Sequence, residues 1–322
     1  LGTFYYSRLY YRRGSDIAEP FMKLNMKKVL LVHNPGAGDE DHAADTITAK
    51  LEEAGYTVRY LSTKRKSWKR DLLKDEDIIM VAGGDGTVRK VLLALNAIPY
   101  GTNIPVFIWP AGTANNIARS LEIDVPHEGN ISLQKPFTDR LFHIGQIAKG
   151  SDQHFVEAVG WGLLPALIKA MDKVEEKGDR EQRIRQARDM LLHICNNISY
   201  HHYDIWLDGV AYTGNYAMVE IMNIQSVGPN LQLAPHADMA DRWLEVILVN
   251  AGDMPKFVSY VQHLLRGEVV ACPLPERKAK HIKLATTAYL MHIDDKVVAG
   301  EDNQVFEIEL LPHPLTVRCF HR

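Results

Sequence analysis

The chain has 322 residues, 46% of them apolar and 24% charged, and a net charge of -3. This is the composition of a folded globular protein with length for two domains; it excludes a disordered chain and the basic footprint of a general nucleic-acid binder. Cys195, Cys272 and Cys319 are far apart and odd in number, which points to reduced thiols in a cytoplasmic setting rather than a disulfide framework. The 14 histidines show no metal-ligand spacing. The longest apolar run, Ala158–Ala170, is too short to cross a bilayer and contains Lys169. Residues 1–25, rich in Tyr and Arg, lack the apolar segment of a secretory signal and read as a tail or extension, with Met22 or Met26 as a natural start.

Lys28–Val32 is a short apolar strand that runs into His33-Asn34-Pro35-Gly36-Ala37-Gly38. Ala44, Ile47, Leu51 and Ala54 then recur at helical spacing, and Gly55 ends that helix. Tyr56–Leu61 reads as the next strand. The polar cluster Ser62-Thr63-Lys64-Arg65-Lys66 behind it is either a phosphate-binding strand end or a solvated face. Trp68–Leu73 reads as a short helix.

The stretch Asp77–Thr87, DIIMVAGGDGT, organises what surrounds it. The apolar strand Ile78–Val81 ends in Gly83-Gly84, and after Asp85-Gly86-Thr87 the residues Val88, Val91, Leu92, Leu95 and Ile98 mark a helix. Glycine lets the backbone approach a ligand closely, and the unpaired N–H groups of a helix start attract anions. Asp85 sets a carboxylate beside that anion site; its plainer reading is a helix cap. A third strand, Pro105–Trp109, ends in Pro110-Ala111-Gly112-Thr113-Ala114-Asn115-Asn116, with Ile117, Ala118 and Leu121 on a short helix after it. Three strand ends thus carry glycine turns. A parallel sheet with helices on both faces would put all three on one edge, as a phosphate site.

After Pro126 the pattern turns to strands: Phe137–Ile147, His154–Val159, Tyr200–Leu207, Tyr212–Asn223, Leu244–Val249, His281–Leu284, Ala288–Ile293, Val305–Leu310 and Leu315–Cys319. Helical periodicity shows only twice, at Ile184–Ile194 and at Phe257–Leu265. The fold class expected is therefore an α/β domain followed by a mainly antiparallel β-sandwich, with a cleft between them for substrate.

Three segments resemble the diacylglycerol kinase catalytic family, which includes sphingosine and ceramide kinases: LLVHNPGAG at Leu30–Gly38, VAGGDGTV at Val81–Val88 and WPAGTANNIAR at Trp109–Arg119. Asn223, the segment Ala234–Val246 and HIDDK at His292–Lys296 resemble its second-domain signatures. The resemblance implies a nucleotide-binding α/β domain over 26–135, a β-sandwich over 136–310 and a segment 311–322 that returns to the first domain. It also implies transfer of the γ-phosphoryl group of ATP, with Mg²⁺, to a lipid hydroxyl at a membrane surface; a homodimer stays open. By the same resemblance Asn34, Gly38, Thr63, Gly83, Gly84, Asp85, Gly86, Thr87, Gly112, Thr113 and Asn115 surround the nucleotide. Asp294 and Asp85 are catalytic, and Asp241 and Asp85 bind metal.

The departures share a direction. Arg89 and Lys90 stand where the family has Asn-Glu, Asn116 where it has Asp, and Arg242 and Lys296 where it has Gly and Glu. Lost carboxylates weaken magnesium binding, and added cations can meet phosphate directly. A nucleotide binder that no longer catalyses is therefore the alternative to an active lipid kinase, and an NAD kinase-like enzyme is a third. For the lipid, Gly160–Met171 reads either as an entrance for an acyl chain or as a core helix interrupted at Pro165. Trp68 with Lys64, Arg65, Lys66, Lys69 and Arg70 reads as a face for an anionic membrane.

Overall fold

A computed structural model describes residues 27–37, 43–98, 103–123, 137–148, 153–174, 178–300 and 304–320. The first unit alternates strand and helix: β1 (Lys28–His33), α1 (Ala44–Glu53), β2 (Thr57–Ser62), β3 (Ile78–Gly83), α2 (Asp85–Asn96), β4 (Val106–Pro110) and α3 (Asn116–Ser120). The strands are parallel in the order β2-β1-β3-β4. The inner strands β1, β3 and β4 are apolar along most of their length because both faces are covered, whereas the edge strand β2 is half-exposed. Val29 and Leu31 pack with Ile47 and Leu51 of α1, whereas Leu30 and Val32 point the other way, into a core shared with Val88, Val91, Leu92 and Leu95 of α2. The two-residue alternation of a strand thus feeds two separate cores.

Two later segments finish this sheet. Leu315–Phe320 pairs parallel to β4, and Phe137–Phe142 pairs antiparallel to Leu315–Phe320 on the outer edge. From sequence, Phe137–Ile147 is one strand of the second unit. In the structure it is two: Phe137–Phe142 lies in the first sheet and Gly145–Ala148 in the next.

The second unit is a pair of six-stranded sheets whose pairings are all antiparallel. Their inner faces meet in one core that includes Trp161, Tyr203, Ile205, Val219, Leu248, Leu284 and Phe306. The two units also share a core: Ile224, Met239 and Val156 pack in the cluster that holds α2 and α3. Asn223, buried, donates from Nδ2 to the carbonyls of His143 and Val156, both at 2.9 Å, and so ties three segments of that junction together.

Two sequence readings change here. Gly160–Met171 contains a third amphipathic helix, Leu163–Met171, and Pro165 does not interrupt it. A proline in the first turn removes only an N–H that has no helical partner. Leu163, Leu164 and Leu167 are buried, so the segment is core. Trp68 is also core: its residue is 7% exposed, on a single 3-10 turn, Trp68–Asp71, with Leu61 and Leu72 in the same cluster. Lys64, Arg65, Lys66, Lys69 and Arg70 remain exposed around it. Trp68→Ala is therefore expected to cost about 3–5 kcal/mol of stability, as core truncation of a large aromatic does. Denaturant titration checks this; a loss below about 0.5 kcal/mol, the scale of a surface substitution, would return Trp68 to the surface.

Candidate functional site

The C-terminal ends of β1, β3 and β4 bring the three glycine turns together. A Cβ placed on Gly112 would lie 2.3 Å from the Cα of Gly84, and one on Gly84 would lie 2.9 Å from the Cα of Gly112. The second and third turns therefore touch backbone to backbone, an approach that only glycine permits. The polar side chains around them hold this shape. Asn34 donates from Nδ2 to Thr87 Oγ1 at 3.2 Å and accepts the Gly36 N–H at 3.2 Å. Asn115, in the left-handed region at φ 50°, accepts the Gly112 N–H and donates to the Gly112 carbonyl, both at 2.9 Å. Asn34, Thr87 and Asn115 are thus engaged with one another or with backbone. What stays open for a ligand is the start of α2 at Gly84-Asp85-Gly86, whose first N–H groups have no helical partner. Thr63 sits at the end of β2 with its N–H on the His33 carbonyl at 2.9 Å, and Thr113 is half-buried. Gly38 lies outside the described residues.

Asp85 is the first residue of α2, yet its carboxylate serves α3. Oδ1 accepts the N–H of Ile117 at 3.0 Å. The residue before α3, Asn115, gives that helix no side-chain cap, because its amide is committed to Gly112. Burial raises the Asp85 carboxyl above its ordinary range, and the N–H groups of Ile117 and Asn116 pull it back. The carboxylate is a cap, as one sequence reading had it, but of the neighbouring helix and not its own.

Facing these turns, the second unit presents Asp294-Asp295, the two-residue tip of the hairpin Leu290–Ile293/Lys296–Ala299. Asp294 takes φ 53°, as the tip of a tight hairpin requires. Its Oδ1 accepts the N–H groups of Val156, Glu157 and Ala158 at 3.0, 2.8 and 3.2 Å. Arg89 of α2, 4% exposed, reaches across: its Nη1 is ion-paired with Asp295, and its Nε lies 3.9 Å from Asp294 Oδ2. Asp295 also overhangs the start of α2, since a Cβ on Gly86 would be 3.1 Å from its Oδ2. Behind the tip, buried His292 puts Nδ1 2.7 Å from the Asp294 carbonyl and Nε2 2.8 Å from Glu220. Both ring nitrogens face acceptors. Burial pulls the imidazole pKa down, but the Glu220 carboxylate outweighs it and the value is raised.

Comparisons with known proteins find relatives for both units. Residues 28–136 match the diacylglycerol kinase catalytic domain, and residues 174–319 match the YegS C-terminal NAD kinase beta sandwich-like domain. The first unit thus matches a diacylglycerol kinase catalytic domain and the second a YegS-like sandwich. The diacylglycerol kinase of Bacillus subtilis (strain 168) is 25% identical over 252 residues, 76% of this chain and 80% of that one. The diacylglycerol kinase of Mycobacterium tuberculosis (strain ATCC 25618 / H37Rv) is 26% identical over 252 residues, 74% of this chain and 79% of that one. A crystal structure of a diacylglycerol kinase from Bacillus anthracis str. Sterne superposes with a TM-score of 0.66 at 21% identity, covering 93% of this chain and 99% of that one, and so supports the fold. No helix among the described residues is long and apolar enough to cross a membrane.

Acids crowd this site. Glu157, Asp294 and Asp295 feel the guanidinium of Arg89, and Asp85, which acts on Glu157, feels that of Arg180. Burial pushes Asp294 up to about 6, against the N–H groups of Glu157, Val156 and Ala158 and the charge of Arg89. Glu157 is pushed well above the ordinary carboxylate range, first by burial and then by Asp85, Asp294 and Asp295. Sequence reasoning missed Glu157; its signal was a lone acid inside the apolar run FVEAVG, Phe155–Gly160. It also missed Arg180 at the start of the helix Arg180–Cys195, whose Nε donates to the Thr113 carbonyl at 2.5 Å.

Among the described residues no three His, Cys, Asp or Glu side chains converge into a metal cage. Asp85 and Asp294 commit oxygens to backbone donors, so the residues present do not make a ready site for magnesium. Asp241 lies in another loop, with Oδ1 on the Trp243 N–H at 3.0 Å. Asp85→Ala is expected to lose roughly 1–2 kcal/mol by stripping α3 of its cap, whereas Asp85→Asn stays near wild-type stability. Thermal melts of both variants check this, and an alanine variant as stable as wild type would remove the capping role.

Proposed function

We propose that this chain is an ATP-dependent lipid kinase that transfers the γ-phosphoryl group to a hydroxyl of a diacylglycerol or sphingoid lipid. The observation that carries the reading is the meeting of three glycine turns and a helix start with a buried acid, Asp294, from the opposite unit. The triphosphate, bringing magnesium as its own counter-ion, lies against the glycine main chain and the start of α2, whose N–H groups compensate phosphate charge. Asp294 is ionised at neutral pH if its pKa is about 6, close to the best value for a base working there. Its Oδ2 takes the hydroxyl proton as the lipid oxygen attacks the γ-phosphorus; the bond to the bridging oxygen breaks and ADP leaves with that electron pair. Arg89 keeps the Asp294-Asp295 tip turned toward α2. The exposed Lys64, Lys66, Lys69 and Arg70 offer an anionic membrane a basic strip beside the nucleotide edge.

A second reading, a nucleotide binder without turnover, is favoured by one observation: Asp294 is fully engaged. Both its oxygens accept the Val156 N–H, at 3.0 and 3.1 Å, and Arg89 neutralises the tip.

Transfer of label from γ-labelled ATP to diacylglycerol, sphingosine and ceramide in mixed micelles, alongside calorimetric ATP binding, separates the two. The kinase reading expects labelled lipid, and a fall of at least ~10²-fold in kcat for Asp294→Asn, the scale of losing a positioned base. The melting temperature is measured on the same variant, because Asp294 also anchors Val156–Ala158. ATP binding without transfer to any lipid and without hydrolysis would select the silent binder. The pH profile follows from the sign of the shift. A base must be unprotonated, so log kcat/KM is expected to rise with unit slope up to about pH 6 and then level off. A limb centred near 4 would mean that Asp294 titrates as an ordinary aspartate or is not the base.

A further inference from the structure

The loop that carries Asp241 holds a cation of its own. Glu245 sits within the strand Leu244–Val249, fully buried, and its register partner across the pair is Lys278 of Arg277–Ala279. The Lys278 ammonium lies 3.0 Å from Glu245 Oε1, 3.5 Å from Asp241 Oδ2 and 3.5 Å from the His236 carbonyl oxygen. The neighbouring acids are committed elsewhere. Asp238 accepts from Arg140 Nη2 and from the Ala240 N–H, both at 3.0 Å, and Glu276 faces His236 Nδ1 at 2.8 Å.

We propose that the ε-ammonium of Lys278 is the resident cation of this loop, in place of the divalent ion that the family resemblance implies for Asp241. The assignment concerns the second unit alone and does not rest on the kinase reading. Three geometric facts support it. An ammonium has three N–H donors, and three oxygens of the one stretch His236–Glu245 surround this one. Two are N–H···O contacts at 3.5 Å and the third is an ion pair at 3.0 Å, whereas magnesium draws about six oxygens to about 2.0–2.1 Å in a near-octahedral shell. A fully buried carboxylate also needs a paired counter-charge, and Lys278 is the cation the structure gives Glu245.

The test is thermal unfolding of the nucleotide-free protein in EDTA and in millimolar Mg²⁺, Mn²⁺ or Ca²⁺. Wild type is expected to melt at the same temperature in all of them. Lys278→Met is expected to melt roughly 5–10 °C lower in EDTA, because it strands a buried carboxylate, and to recover part of that loss with Mn²⁺ or Ca²⁺. The double variant Lys278→Met/Glu245→Gln, which removes both charges, is expected to recover stability without ions, and it keeps the test readable if the single variant does not fold. A wild-type melting point that falls in EDTA, with the fall abolished by Asp241→Asn, overturns the proposal. So does a Lys278→Met protein as stable as wild type, one that no divalent ion rescues, or a double variant that is no more stable than the single one.

Discussion

The Arg89 guanidinium of the first unit, set against acids of the second, is the interaction on which the cleft depends. Glu157 comes from the segment entering the sandwich and Asp294 and Asp295 from a hairpin tip, while Asp85, at the start of α2, adds its charge to Glu157 and is itself met by Arg180. At the separations found here, like charges repel strongly wherever water is excluded. One cation, almost fully buried, offsets part of that repulsion and explains why the hairpin tip leans on α2. The shared apolar core beneath, with Ile224, Met239 and Val156 packed among the residues of α2 and α3, keeps the two units from drifting apart. Electrostatics decides how the surfaces face each other; apolar burial decides that they stay together.

Much of this was legible in the residues. A short apolar run, two glycines and an amphipathic stretch read directly as strand, turn and helix, because each step has a local cause. The placement of three such turns on one edge followed from the parallel topology. What could not be read was where the side chains go. Asn34, Thr87 and Asn115 have the chemistry of ligands, but they face backbone and one another, and no spacing rule distinguishes the two uses. Trp68 looks like a membrane anchor among lysines until the core built from distant strands and helices takes it in. The core helix within Gly160–Met171 was legible, but Pro165 read as its break, because a proline is a breaker unless the start of the helix is already known. Phe137–Phe142 alternates like any edge strand, and only its pairing with Leu315–Phe320 reveals which sheet it serves.

The site also divides its labour between side chains that shape and main chain that is presented. Gly160 shows the same economy behind the hairpin. A Cβ there would lie 2.0 Å from Glu220 Oε2, so the glycine makes room for the carboxylate that holds His292, which in turn holds the carbonyl of Asp294. The position of an acid in the cleft is thereby set by a residue with no side chain, three steps away.

The strand Leu315–Phe320 lies between β4 and Phe137–Phe142 in the first sheet. During synthesis β4 is made some two hundred residues earlier, and its open edge has no partner until this strand emerges. The first sheet is therefore the first to start and the last to close, with the entire sandwich made in between. Pairings over such a span carry a large loop-closure cost and are slow. An unpaired, apolar parallel strand exposed for that interval is also a template for the wrong partner. The chain thus depends on its own far end to keep that edge out of aggregates.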